Sequence, residues 1–543
     1  MQKAVRLALV FAALLLACYL RITGLTWGLT SGYGHNRNFQ PDEFVSLRGL
    51  LQLELTAGRI KAPAAYFEGT FNYYLWALPQ AALKGSTKTK VPFTGSRNME
   101  DHADLLYMCR WMSVLFDLGT VIVVFLAIRE TTQDFYPSLL GALCYAVLPM
   151  QVIYAHFMRT HLLSNLLCAL VIWLSLKFRK RQRWWMLVIV GFISGLGAAT
   201  RYPVAIIVVI PCLYLLFDRD DHLPNWKTRV WERAKRFVAG PVWLIGTGFL
   251  IGLFFGHPML FLDSGIVIKA IAGETLKYAS LQEFDSSNLL NLSTVWTYVS
   301  SLIPFSMYPF LWLFPYGAIC YVCVRHRLLG KSLPILLFSL LYLYLMGKGY
   351  LIPIFARAAM LLFPGFCIIV GIAYSDLLLL LNKQRIVAVL LTSATLLVFA
   401  PSIVFDVAYG HAMRQRDARS ALRKDLQKLI GGSPATIGVS RFGPTFYTVM
   451  PAVEPLKSEK VIVQLQGPGQ KADFFLVGFT GQIESAWMNA TIRMVEAQGK
   501  FRYEKSYSVR PKIFGRELQL ARFPPDMTYP FPTILFFRAK AET

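Results

Sequence analysis

Acidic residues are scarce in this chain. It carries 31 Asp and Glu against 55 Lys and Arg in 543 residues, and charged residues make up only 16%. An ordinary soluble domain carries about 25%. That deficit, with a 55% hydrophobic composition and a mean hydropathy of +0.46, excludes a chain whose whole surface faces water. Cysteine is also sparse. The eight cysteines run from Cys18 to Cys367, all in or beside apolar runs, and none follows Cys367. A disulfide framework is excluded on that pattern. Internal repeats and low-complexity tracts are absent, as are matched pairs of Gly/Pro-broken apolar segments, which counts against a transporter or flippase built from inverted repeats.

What is present is a series of long apolar runs. A membrane span needs roughly 20 apolar residues. Eleven runs qualify: 4–22, 105–127, 136–155, 160–177, 184–200, 202–217, 237–256, 303–324, 332–347, 358–381 and 386–407. The formal net charge of +24 suggests nucleic acid at first sight, but the cations sit in short clusters between these runs. Lys177-Phe178-Arg179-Lys180-Arg181 and Arg325-His326-Arg327 are examples. That is the positive-inside pattern of a membrane protein, and it needs no nucleic-acid partner. It predicts a cytoplasmic N-terminus and, with an odd number of spans, an outside C-terminus.

Two long loops then fall outside, 23–104 and 257–302. The first contains amphipathic stretches at 44–57 and 71–84 that read as helices on the membrane surface. From 408 onward the composition changes. Asp417 to Ile430 has a helical period ended by Gly431-Gly432. Short β-like runs follow at Thr436–Val439, Val461–Leu465, Phe474–Val477 and Ile534–Phe537, with a second helix expected over Glu484–Gln498. The expected fold is an all-α polytopic membrane domain over 1–407, with about eleven transmembrane helices, and a small α/β extracytoplasmic domain over 408–543.

Several polar residues stand out against this apolar background. Gln40-Pro41-Asp42-Glu43 opens the first outer loop. Paired carboxylates there suit acid–base work, and they equally suit the first turn of a helix, where carboxylates cap and meet the positive end of the dipole. Arg110, Arg159, Arg201, Lys348 and Arg357 lie at membrane depth or at the outer rim. Charges there are costly and usually face a cavity or a partner. Snorkelling to the headgroups suits Arg159; Arg201 and Arg357, each between two apolar helices, suit an anion site better. His156, His161 and His257 sit at outer ends of predicted spans and read individually as hydrogen-bonded interfacial histidines.

These residues fall in an order that resembles the polyprenyl- or dolichyl-phosphate-sugar glycosyltransferases of the GT-C fold, including the protein O-mannosyltransferases and the aminoarabinose lipid A transferases. Pro41-Asp42-Glu43 matches the carboxylates after the first span. Phe71-Asn72-Tyr73-Tyr74-Leu75 is similar to the Tyr-Pro-Pro-Leu segment without its prolines, and Arg110 through Thr120 resembles the Arg-x-x-Ser helix. Pro149 to Leu163, Thr200-Arg201-Tyr202-Pro203, His257-Pro258 through Asp263, Arg357 with Pro364, and Arg419 with Ala421 follow in the family's order. The match runs from about 40 to 420. One position departs: His161 stands where the family often has a carboxylate.

The resemblance implies transfer of a sugar from a polyprenyl- or dolichyl-phosphate donor to a glycan, lipid or protein acceptor, on the extracytoplasmic face of a bacterial cell membrane. Asp42, with Glu43 beside it, is the implied catalytic base. Arg201, Lys348, Arg357, Arg110 and His257 are the implied donor-phosphate residues. In members that hold a divalent cation the missing carboxylate helps bind it, so Asp42 and His161 form the candidate metal pair. Direct displacement would invert the anomeric centre. An oligosaccharide transferase of the same fold would carry Trp-Trp-Asp in its outer domain, a motif this sequence lacks. A flippase and a non-catalytic scaffold of the same fold remain the rival classes.

Overall fold

In the computed structural model the described residues are 2–29, 40–53, 60–83, 103–217, 240–280, 292–347, 355–381, 384–415, 417–441, 445–481 and 483–540, with Lys235 and Phe237. Lys348 lies outside them, as does much of both long outer loops. The helices of the first half are α1 (Gln2–Ile22), α2 (Pro41–Leu51), α3 (Phe71–Leu83), α4 (Ala103–Thr132), α5 (Phe135–Ala146), α6 (Pro149–Ala155), α7 (His161–Arg181), α8 (Trp185–Thr200), α9 (Val209–Leu216) and α10 (Val242–Gly256).

Each of the eleven apolar runs contains helix, but they are not eleven continuous spans. Among the described residues six stretches are long and apolar enough to cross a membrane: Gln2–Ile22, Ala103–Thr132, His161–Arg181, Arg327–Gly347, Ala356–Leu380 and one that begins at Val389. The bent pair α5 and α6, 58° apart, makes a seventh. The break falls at Val147-Leu148, where Pro149 has no N–H to continue the ladder of α5. Shorter apolar helices, including α8 and α10, account for the remaining runs. The helical stretches expected at 44–57 and 71–84 overlap α2 and α3.

The chain divides into two compact units. One comprises Met1–Arg21, Val45–Ala82 and Cys109–Ile403; the other comprises Ile22–Phe44, Leu83–Met108 and Val404–Thr543. The second unit thus starts close to the expected boundary at 408 but also draws in segments of the first outer loop. Within it, the Trp27 indole N–H donates to Asp417 at 3.2 Å, and Gly24 sits so close to Gly410 that a Cβ would meet its carbonyl oxygen at 2.9 Å. Asp42 and Glu43 belong to this unit.

In the membrane unit, α8 and α10 pack backbone to backbone. Gly191 and Gly195 on α8 face Gly248 and Gly252 on α10, each pair four residues apart. A Cβ at Gly195 would lie 2.1 Å from the Phe249 carbonyl oxygen, and one at Gly252 would lie 2.0 Å from that of Phe192. Lipid tails are as apolar as leucine, so close packing of small residues is what holds such helices together. A second contact is polar. Arg21 donates from Nε to Asp117 at 2.6 Å, and Tyr145 donates to the other oxygen of Asp117 at 2.7 Å; all three side chains are fully buried. Arg21 also donates to the carbonyls of Ala17 and Ala146, so α1, α4 and α5 share one buried charge pair.

The second unit contains a five-stranded sheet ordered β2-β1-β3-β7-β4. Its strands are β1 (Ala435–Ser440), β2 (Val461–Gln466), β3 (Phe474–Phe479), β4 (Phe501–Ser508) and β7 (Thr533–Ala539); the short β5 (Lys512–Ile513) and β6 (Arg516–Glu517) form a separate hairpin. β1 is parallel to β2 and β3, and β7 is antiparallel to β3 and β4. Successive side chains of a strand point to opposite faces. Phe474 and Leu476 therefore join Leu422, Leu426 and Val449 on one face, while Phe475 and Val477 join Ile492 and Val495 on the other. Both faces are covered, which is why this central strand reads as an unbroken apolar run. The helices Ala418–Ile430 and Ser485–Ala497 lie where the sequence predicts them.

Candidate active site

Three elements of the membrane unit bring cations to the start of a fourth. Arg159 sits in the turn between α6 and α7, and His161 is the first residue of α7. Arg201 follows the last residue of α8. It is extended (φ −153°, ψ 129°) because Pro203 cannot donate to the ladder that would continue the helix. Arg357 lies in the 3-10 helix Ala356–Leu362, its guanidinium carbon 4.0 Å above the Phe355 ring. The turn carrying Arg159 is pinned by the Arg-x-x-Ser helix, since Ser113 donates to the Phe157 carbonyl at 2.9 Å.

The cations surround a histidine. His161 is 2% exposed, its ring packs edge-on against Tyr154 at 5.1 Å, and neither ring nitrogen makes a hydrogen bond. Arg201, Arg159 and Arg357 are all within electrostatic reach of it, and Arg201 is within reach of the other two. Arg357 donates to the Tyr154 hydroxyl at 3.4 Å.

One carboxylate enters this group from the outer loop. Glu68 bonds Arg159 at 3.2 Å and accepts from the Tyr73 hydroxyl at 3.4 Å. Burial, reinforced by the negative charge of Glu68, pushes the Tyr73 phenol well above its ordinary pKa and keeps it a donor. The loop reaches this position because of Gly69. Its φ of +133° suits glycine, and a Cβ there would lie 2.3 Å from the Ala199 carbonyl oxygen at the end of α8.

Three of the predicted residues, Arg201, Arg357 and His161, therefore share one site. Arg159, read from sequence as a snorkelling cation, is 7% exposed and belongs to that site. Glu68 carried no sequence signal beyond a polar loop, whereas Tyr73 lies in the segment similar to Tyr-Pro-Pro-Leu. Arg110 is fully buried on α4. His257 contacts Tyr202 and Tyr66 instead, with Nε2 2.9 Å from the Tyr202 hydroxyl. Glu43 is fully buried at the start of α2, Asp42 beside it is half-buried, and the Glu43 backbone N–H donates to the Gln40 side chain at 2.9 Å. Gln40 thus supplies a capping acceptor at the start of α2. Arg419 joins Asp417 at 3.1 Å and donates to the Thr448 and Tyr529 carbonyls, a structural role in the second unit.

The donor set around His161 does not fit a divalent cation. Its charged surroundings are guanidiniums, and Glu68 is already engaged by Arg159 and Tyr73. Among the described residues no three His, Cys, Asp or Glu side chains gather in a metal-binding group. The same surroundings favour an anion.

Comparison with known proteins gives a family match over part of the chain. Residues 105–231 match the family described as dolichyl-phosphate-mannose-protein mannosyltransferase, a stretch that includes Arg110, Arg159, His161 and Arg201. No curated protein sequence matches significantly. Among solved structures the chain is similar to the Archaeoglobus fulgidus oligosaccharyltransferase tethered with an acceptor peptide, at 13% identity and TM-score 0.49, covering 92% of this chain and 69% of that one. It is also similar to ArnT from Cupriavidus metallidurans. The apo form gives 13% identity and TM-score 0.46, with 98% of each chain covered. The form bound to undecaprenyl phosphate gives 12% and 0.46, covering 99% of this chain and 98% of that one.

Proposed function

We propose that this polytopic membrane protein, similar in part to the lipid-phosphate-dependent mannosyltransferases, moves a sugar from a polyprenyl-phosphate donor to an acceptor hydroxyl on the extracytoplasmic face. The observation that carries the reading is the gathering of Arg159, Arg201 and Arg357 around His161, with Glu68 the carboxylate that joins them.

The charge suits the chemistry. A lipid-phosphate sugar is a phosphodiester with one negative charge, and its leaving group is a phosphate monoester with two. Negative charge therefore grows on the phosphate as the bond to the anomeric carbon breaks. Fixed cations that need no reorganisation stabilise that change most. Three guanidiniums against one carboxylate leave a surplus of positive charge for it. In the transfer, the acceptor oxygen bonds to the anomeric carbon, and the carbon–oxygen bond to phosphate breaks with its electron pair going to the lipid phosphate. The acceptor proton passes to a carboxylate, for which Asp42 is the candidate. Attack opposite the leaving phosphate inverts the anomeric centre. Glu43, buried next to Asp42, is suited to orienting it.

The experiment is a transfer assay on purified protein in nanodiscs. Arg357→Ala and Arg201→Ala lose polyprenyl-phosphate binding and turnover together, and Arg357→Lys recovers only part, because ammonium lacks the bidentate fork of guanidinium. Normal turnover in either alanine variant would defeat the proposal. Lipid extracts of a deletion strain, in which one lipid-linked sugar accumulates, name the sugar.

A further inference from the structure

His257 was expected among the phosphate-binding residues, yet its hydrogen bonds give it the opposite polarity. The Tyr202 hydroxyl donates its single proton to the Tyr66 carbonyl oxygen at 2.5 Å, and a carbonyl can only accept. The same hydroxyl lies 2.9 Å from His257 Nε2. With its proton committed, the hydroxyl oxygen can only accept there, so Nε2 carries the imidazole proton. Burial pushes the His257 pKa down to about 4, so no second proton is added near neutral pH. The other nitrogen, Nδ1, is left as a bare lone pair. It is buried and makes no hydrogen bond.

A lone pair repels a phosphate oxygen and welcomes a hydrogen-bond donor. The local field agrees. Gly256, immediately before His257, ends α10, where backbone carbonyls concentrate partial negative charge. The position also has aromatic walls: the Tyr202 ring stacks on His257 at 6.0 Å and 24°, and the Tyr66 ring lies 5.6 Å away. Rings beside a directed polar atom suit a pyranose, with apolar C–H faces and donating hydroxyls. The site is next to the phosphate position in sequence, because Tyr202 directly follows Arg201.

We propose that His257 Nδ1 accepts a hydrogen bond from a hydroxyl of the sugar carried by the donor, so that His257, Tyr202 and Tyr66 form a sugar subsite rather than part of the phosphate site. The inference rests on the lipid-phosphate-sugar donor proposed above.

Two near-isosteric substitutions separate the ring nitrogens. His257→Asn keeps a polar atom near Nδ1 and loses the link to Tyr202. His257→Gln reaches Tyr202 and loses the acceptor at Nδ1. The probes are dolichyl phosphates carrying mannose, glucose or 4-amino-4-deoxyarabinose, and sugar-free dolichyl phosphate, bound to full-length protein in nanodiscs, with thermal unfolding as the control for folding. The expected result is that His257→Gln weakens binding of the sugar-bearing probe that wild type prefers by about tenfold, the worth of one buried hydrogen bond. Sugar-free dolichyl phosphate is unaffected, and His257→Asn retains the preference. Equal weakening of all probes by His257→Gln, no weakening of any, or equal loss in both variants overturns the subsite. So does a wild type that gains nothing from any of the sugars. In each of these cases the phosphate-binding reading stands if wild type binds dolichyl phosphate. A wild type that binds none of the probes removes that reading as well.

Discussion

Glu68 faces Arg159 at 3.2 Å, with both side chains nearly buried. This pair sets the net charge of the cation group and makes a prediction of unexpected sign. Glu68→Gln removes the carboxylate charge from among three arginines. The protein is expected to lose some stability, because Arg159 loses its partner, yet to bind sugar-free polyprenyl phosphate more tightly. One unit charge at an effective dielectric of about 20 is worth on the order of 1–2 kcal/mol at these ranges, or about tenfold in affinity. Titration of nanodisc-held protein with undecaprenyl phosphate checks it, and weaker binding would contradict the charge argument.

The carboxylate pair of α2 gives the second prediction. The Gln40 side chain accepts a capping hydrogen bond from the Glu43 backbone N–H, and Asn caps a helix about as well as Asp. Asp42→Asn is expected to leave the thermal midpoint unchanged and to cut turnover by about 10²–10⁴-fold, the usual worth of a positioned base. Gln40→Ala is expected to do the reverse, costing about 1 kcal/mol of stability with turnover largely kept. An active Asp42→Asn protein would remove this residue from the chemistry.

The third concerns Arg21 and Asp117. Both are fully buried and bonded at 2.6 Å. Removing one partner strands the other charge, so Asp117→Ala is expected to destabilise the protein by about 3–5 kcal/mol. The double change Arg21→Met, Asp117→Leu is expected to regain most of it, since no charge is then left unpaired. Thermal unfolding in detergent, followed by monodisperse elution, measures both.

The fourth uses two glycines of one helix. Gly252 meets the Phe192 carbonyl oxygen at 2.0 Å from a notional Cβ, whereas Gly246 meets nothing within 4 Å. Gly252→Val is expected to abolish folded, monodisperse protein and Gly246→Val to leave it intact. Equal yields from the two would mean that the contact between α8 and α10 does not hold the unit together.

The parts of the fold that the sequence made legible are those where one physical signal dominates. Among the described residues, apolar runs marked every helix long and apolar enough to cross a membrane, and β3 was readable because both of its faces are buried. β4 was missed. It pairs only with β7, alternates Phe501, Tyr503 and Tyr507 with charged residues, and shifts register between Tyr503 and Lys505. The breaks inside spans were legible only at proline, as at Pro149. At the site, Arg201 and Arg357 were readable because cations between apolar helices need a reason. Asp117, a carboxylate in the middle of a predicted span, carried the same signal, which would have found its pair with Arg21. Glu68 could not be read, because its role depends on Gly69 letting a polar loop approach the end of α8. The polarity of His257 was equally hidden: it is set by a carbonyl at Tyr66, nearly 200 positions away in the chain.

The glycine contact between α8 and α10 also acts as a ruler. Arg201 comes six residues after Gly195, and His257 comes five after Gly252. Interlocked backbones cannot slide, so these two short lengths of helix fix how far each side chain extends beyond the contact. An insertion of one residue in either length would advance one side chain by about 1.5 Å and swing it by about 100° around its axis, while its counterpart stayed in place. The expectation for relatives of this chain is therefore about the length of these two intervals. Gains and losses of residues belong in the loops beyond Arg201 and His257.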